Sequence, residues 1–155
     1  MSRFWDDDNG DLPAMFHEID LHRRLISGRG QRILRDILDG LIQMPEWRLI
    51  DGWIARSPED DSGIGEVCAV GAYAAWQRVK AGETWADAIE VLTERWGGEQ
   101  DDAWGTEQIG RSVGLAKSVA IELAWLNDEQ FANLSPEDRW NEIVGWVWKQ
   151  IIPVV

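Results

Sequence analysis

With 155 residues, 28 acidic against 15 basic side chains, a formal net charge of −13 and one cysteine, the chain has the size of one domain able to bury about 70% of its extended-state surface. One cysteine excludes an intramolecular disulfide and a cysteine-rich zinc site, and the charge argues against direct nucleic-acid binding, because an acidic surface repels phosphate. The first residues lack the basic region and apolar run of a secretory signal, and no stretch reaches the roughly 18 apolar residues of a membrane span, so a cytoplasmic protein without a membrane segment is expected.

Residues 1–12 read as an acidic arm containing Trp5, Asp6, Asp7 and Asp8, with no periodic apolar face. Residues 13–155 read as a single helical domain. Its first helix carries Met15, Ile19, His22 and Ile26 at spacings of four, seven and eleven, which predicts those residues as the inward face. Gly28-Arg29-Gly30 interrupts it, and a second helix over 31–44 turns Leu34, Ile37, Leu38 and Leu41 inward before Pro45 ends it. Across this junction lie Arg23, Arg24, Arg29, Arg32 and Arg35 without an acid between them. This basic patch is read first as a surface for intramolecular pairing or self-association, ahead of an RNA or phosphate contact.

Residues 46–56 are mixed and fit either a helical turn or an extended piece. A loop over 57–65 carries Asp60 and Asp61, and an alanine-rich helix is predicted over 66–80. Thr84 with Asp87 forms a capping box opening a helix whose face is Trp85, Ile89, Leu92 and Trp96. After a polar loop with Asp101, Asp102 and Trp104, a long helix over 107–126 is expected, faced by Ile109, Val113, Ala116, Ala120 and Leu123. Gly110 and Gly114 each cost that helix about 1 kcal/mol relative to alanine, and mark either tight packing or a break. Ser135-Pro136-Glu137-Asp138 sharply starts the last helix, with Trp140, Ile143, Val144, Val147 and Ile151 in one stripe. The expected fold is all-α, an irregular bundle of about six helices.

The chain assembles no convincing catalytic constellation. His17 and His22, with Glu18 and Asp20, are the one cluster that suggests a metal. The two histidines are five residues apart, about 140° around a helix, so one helix presents both poorly. A semi-buried His22 paired with Glu18 is expected instead. The acidic loops fail the EF-hand registers that place Gly10 or Gly65 at loop position 6, Cys68 sits in the apolar run VCAVGAYAA as a structural residue, and Gly63-Ile64-Gly65 lacks the strand and lysine of a phosphate loop. No catalytic residue, metal or cofactor is therefore expected. Among the eleven tryptophans, Trp47, Trp53, Trp76, Trp85, Trp96, Trp125 and Trp140 read as core and Trp148 as the edge of the last stripe. Trp146 projects outside that stripe, and Trp5 and Trp104 stand in acidic settings. Exposed aromatics are enriched at contact hot spots. The candidate partner-binding set is thus Trp5, Asp6, Asp7, Asp8, Asp60, Asp61, Asp101, Asp102, Trp104 and Trp146.

The segments MPEWRLIDGWIAR (44–56), GEVCAVGAYAAW (65–76), VGLAKSVAIELAWLNDE (113–129) and SPEDRWNEIVGWVWKQI (135–151) together resemble a family of uncharacterised bacterial and phage proteins. Its members carry a GEVCALGA-like segment, an LND or END, and a TPE-R-W helix. The resemblance covers roughly residues 30–151 and brings no assigned activity. It implies a phage or prophage accessory protein. Composition and resemblance together lead to the expectation of a non-enzymatic interaction module, an acidic inhibitor or modulator that imitates nucleic acid toward a basic host or defence protein. The alternative expectation is a structural helical subunit of a phage or cellular assembly that self-associates.

Overall fold

The computed structural model describes residues 12–58, 63–96 and 103–153. Among them are seven α-helices: α1 (Leu12–Ile26), α2 (Gly28–Gln43), α3 (Ala69–Lys80), α4 (Trp85–Trp96), α5 (Ala103–Ser112), α6 (Lys117–Trp125) and α7 (Pro136–Gln150). One π-helical turn, Leu126–Gln130, extends α6, and two short strands, β1 (Ala55–Arg56) and β2 (Glu66–Val67), pair antiparallel in the register Ala55 to Val67 and Arg56 to Glu66. The fold is an all-α bundle with a minimal ribbon attached.

Two of the predicted helix starts are set by side-chain caps. Ser135 Oγ accepts from the Asp138 N–H with Pro136 in the first turn of α7, and Thr84 Oγ1 accepts from the Asp87 N–H at α4. Each such cap satisfies a donor the helix cannot, worth about 1 kcal/mol. Ser27 caps α2 by accepting from the Gly30 N–H, so Gly28-Arg29-Gly30 is the first turn of α2 and not an interruption before it.

α2 and α7 run antiparallel. Trp140 Nε1 donates to the Leu41 carbonyl at one end, and at the other Gln31 Nε2 donates to the Gln150 carbonyl while Gln31 Oε1 accepts from the Ile152 N–H. Leu34, Ile37, Leu41, Ile143 and Val147 are essentially fully buried between them and α3, each stabilising by about 1.5–3 kcal/mol through burial. Around the alanine-rich α3, Ala69, Val70, Ala72, Ala74 and Ala75 are all buried. At Gly71 an added Cβ would lie 2.0 Å from the Ile54 carbonyl oxygen, so the small residues let α3 lie directly on the chain leading into β1.

Two expectations are corrected and one open reading is decided. Residues 66–80 do not form one helix: Glu66 and Val67 pair with β1 and Cys68 caps α3. Residues 46–56, which fitted either a helical turn or an extended piece, take the extended form and end in β1. The long helix over 107–126 is two helices, because Gly114 adopts φ +81, a conformation that ends a helix and that a side chain disfavours. Gly110 carries the other reading, since a Cβ there would meet Ala120 Cβ at 2.7 Å.

Candidate functional site

α1 shows the largest departure from the pattern in the sequence. Its buried face is His17, Leu21 and Leu25, and the residues predicted to face inward point away from the core. Met15 is 49% exposed, Phe16 64%, Ile19 50% and Ile26 53%, and His22 is exposed between them. On the inward face, beside the buried Leu21 and Leu25, His17 meets Glu122 of α6, only 4% exposed. His17 Nε2 lies 2.9 Å from Glu122 Oε2, in a bond that fastens α1 to α6. A buried carboxylate is costly unless it is partnered, so this bond favours the inward histidine together with Leu21 and Leu25, and a second apolar stripe lies outside. At about 100° per residue, Met15, Ile19, His22 and Ile26 span roughly 60° and Phe16 flanks them.

The same pair, with Glu18, places three ligating side chains together, their donor atoms within 4.8 Å of one another. Imidazole and carboxylate oxygen are donors that suit a divalent transition metal, and His17, Glu18 and Glu122 are the residues that could hold one. His17 and Glu122 already bond each other, a buried contact between the two helices. The predicted His22–Glu18 arrangement is replaced by this one: His17, not His22, is the buried histidine.

Residues 49–52, 66–69, 127–128 and 131–139 converge on one buried polar knot. Asn127, at 0% exposure in the π turn, accepts from the Ala69 N–H through Oδ1 (3.1 Å) and donates through Nδ2 to the Ile50 carbonyl (2.8 Å) and to Asp128 Oδ1 (2.8 Å). Asp128 Oδ1 also accepts from the Gly52 N–H. Arg139 of α7, 3% exposed, donates to the carbonyls of Leu49, Phe131, Ala132 and Leu134. Cys68 Sγ accepts from the Gly71 N–H as the cap of α3. Thus WRLIDG, GEVCA, LND and EDRW hold one another by satisfying backbone groups at chain crossings, which is structural work.

That knot offers no nucleophile. Burial, reinforced by the charge of Asp128, pushes the Cys68 thiol up to about 12, and it is the thiolate that reacts. Burial also raises Asp128 above the usual carboxylate value, against the hydrogen bonds from Asn127 and Gly52 that lower it.

The other predicted site residues are placed as follows. Trp5, Asp6, Asp7, Asp8, Asp60, Asp61, Asp101 and Asp102 lie outside the described residues, as does the Trp104 side chain. Trp146 does not project free; it is half-buried and packs against the core, whereas Trp148 on the same helix is 66% exposed. Trp47, read as core, is 55% exposed, and its ring stacks on the buried Trp140 at 4.7 Å and 3°. Arg23, Arg24, Arg29 and Arg32 are exposed, while Arg35 is partly buried and donates to the Ile152 carbonyl. Arg24 pairs with Asp20.

Several residues that shape the site carry only a faint mark in the sequence. Glu122 inside VAIELAWL and Arg139 on the stripe side of α7 are charges in apolar surroundings, a pattern that signals a buried partner without naming it. No protein-family model, curated protein or solved structure matched the chain, and no helix among the described residues is long and apolar enough to cross a membrane.

Proposed function

We propose that this protein is a non-enzymatic interaction module that docks a basic protein partner through the outward face of α1. The observation that carries the reading is the row of Met15, Phe16, Ile19 and Ile26, four large apolar side chains about half exposed or more on one helix. A contiguous apolar face on a protein surface marks a contact site. The net charge of −13 selects a basic partner and accelerates its encounter. The chemically versatile groups support the reading too, since Cys68, Asn127, Asp128 and Arg139 are engaged in holding the fold. The charge and the resemblance to phage and prophage proteins favour a host or defence protein that handles nucleic acid, engaged by an acidic surface in place of phosphate.

A second reading, self-association into an assembly, is favoured by one observation. Arg23, Arg29 and Arg32 are exposed, and no carboxylate pairs with them among the described residues, so a neighbouring copy's acids are available partners. Affinity purification of the tagged protein from its host lysate, at low and high salt, separates the readings. The module reading expects a stoichiometric basic partner whose retention falls as salt screens the charges. Recovery of the protein alone, as a defined oligomer, overturns it in favour of self-association.

A further inference from the structure

A cavity of about 250 Å³ opens between the end of α1, the first turns of α2 and the junction of α5 with α6. Arg24, Arg29 and Arg111 line it, one from each of three helices, and no acidic residue does. On a chain of net charge −13 this is a local reversal of sign, and a concave wall of one sign concentrates its field. Arg29 has no ion-pair partner among the described residues. Arg24 and Arg111 are engaged only at the surface, 3.5 Å from Asp20 and 3.6 Å from Glu107. Exposed pairs of this kind are worth little, so a ligand can recruit both guanidinium groups.

Two helices of 16 and 9 residues, α2 and α6, begin at the edge of the same cavity. Each start carries partial positive charge. At α2 the cap Ser27 lines the cavity and already serves the Gly30 N–H. At α6 the cap is Ala116, a lining residue that provides no side-chain acceptor for the first turn. Alanine is among the poorest caps, and here it leaves a helix start uncapped beside three arginines. The remaining wall is apolar, formed by Leu25, Ile33, Leu34, Leu115 and Val119. Since a cavity of about 150 Å³ accommodates benzene, this one accommodates roughly ten non-hydrogen atoms. That is too small for a nucleotide and sufficient for an anionic head on a short apolar group.

We infer that this cavity binds a small organic anion, a phosphomonoester or carboxylate with a short apolar group, its head against the arginines and helix starts and its tail against the leucines and Val119. The site is separate from the α1 docking face, because Met15, Phe16 and Ile19 take no part in it. Nuclear magnetic resonance titration of ¹⁵N-labelled protein tests it, with phenyl phosphate, benzoate, inorganic phosphate and benzyl alcohol as probes. Phenyl phosphate or benzoate should shift amides within 24–34 and 111–119, and the tighter of the two identifies the head group. Inorganic phosphate and benzyl alcohol should each bind at least about tenfold more weakly, as each lacks one half of the ligand. Arg29→Ala with Arg111→Ala should weaken the organic anion by at least about tenfold and leave the melting temperature of the free protein unchanged, both side chains being exposed. No shifts at millimolar phenyl phosphate and benzoate, equal affinity in the double variant, or inorganic phosphate binding as tightly as the organic anions would overturn the inference.

Discussion

Replacing Asn127 with alanine strikes a buried crossing of three chain segments. The side chain serves two buried backbone groups of distant segments, the Ala69 N–H at the start of α3 and the Ile50 carbonyl on the approach to β1. Truncation orphans both, and a buried group left without a partner costs about 1–3 kcal/mol, so the loss should be about 4 kcal/mol. Against a typical total of about 5–15 kcal/mol this is severe, and it corresponds to a melting temperature lower by roughly 8–16 °C for a domain of this length. Asn127→Asp sharpens the test. It keeps an oxygen for the Ala69 N–H but sets its second oxygen against the Ile50 carbonyl and the Asp128 carboxylate, where Nδ2 now donates. At neutral pH this variant should be no more stable than the alanine variant, and it should regain stability in mild acid as its carboxyl protonates and can donate. Urea unfolding followed by tryptophan fluorescence reads both. A loss under about 1 kcal/mol for Asn127→Ala would refute the reasoning that these hydrogen bonds hold the segments together.

Four further expectations follow from the same geometry. Cys68, buried and with its thiol pushed up to about 12, should resist a thiol reagent such as dithiobis(nitrobenzoate) in native buffer and react fully in denaturant. Asp128→Asn keeps the acceptor for the Gly52 N–H and removes a carboxylate that burial raises. Its stability at pH 7 should equal or exceed wild type, and its advantage should shrink as pH falls toward the ordinary carboxylate range, where the wild-type group binds its proton more readily folded than unfolded; chemical denaturation across pH reads this. For Asp36, burial pushes the carboxyl up, but hydrogen bonds from Lys80, Gln77 and Trp76 outweigh it and hold the group below its ordinary value. Its stabilisation is present above the unfolded-state pKa and lost as pH falls through the folded one, so Lys80→Met should unfold at a higher pH in an acid titration followed by circular dichroism. Gly71→Ala should yield little folded protein in soluble expression, because its Cβ would fall 2.0 Å from the Ile54 carbonyl oxygen, a backbone atom that cannot yield.

The sequence made the helices legible where local chemistry sets them. Ser135 with Asp138 and Thr84 with Asp87 cap their helices as the spacing indicates, and Leu34, Ile37, Leu38 and Leu41 form the buried face of α2. What it hid was decided at a distance. α1 has two candidate stripes, and the buried one carries His17, which bonds Glu122 roughly a hundred positions away, along with Leu21 and Leu25. Periodicity weighs apolar residues only, so it selected Met15, Ile19 and Ile26, the stripe that the structure leaves exposed. Trp146 and Trp148 exchanged places for a similar reason, because neighbouring elements, not angular position on α7 alone, decide which ring is covered. The β1–β2 ribbon is two residues per strand, too short for alternation to show. The cavity joins segments near 24, 29 and 111; two of its three arginines were visible as a basic patch, and Arg111 was not visible as their neighbour.

The most direct test of the α1 reading is capture by a Phe16→Asp, Ile19→Asp variant, measured beside wild type at matched concentration and with the melting temperature of each recorded. Both side chains are at least half exposed, so the fold should be retained and the melting temperature should stay close to wild type. The account predicts that a basic partner retained by wild type is lost from the variant. Equal retention by both proteins would contradict it and move the contact away from α1.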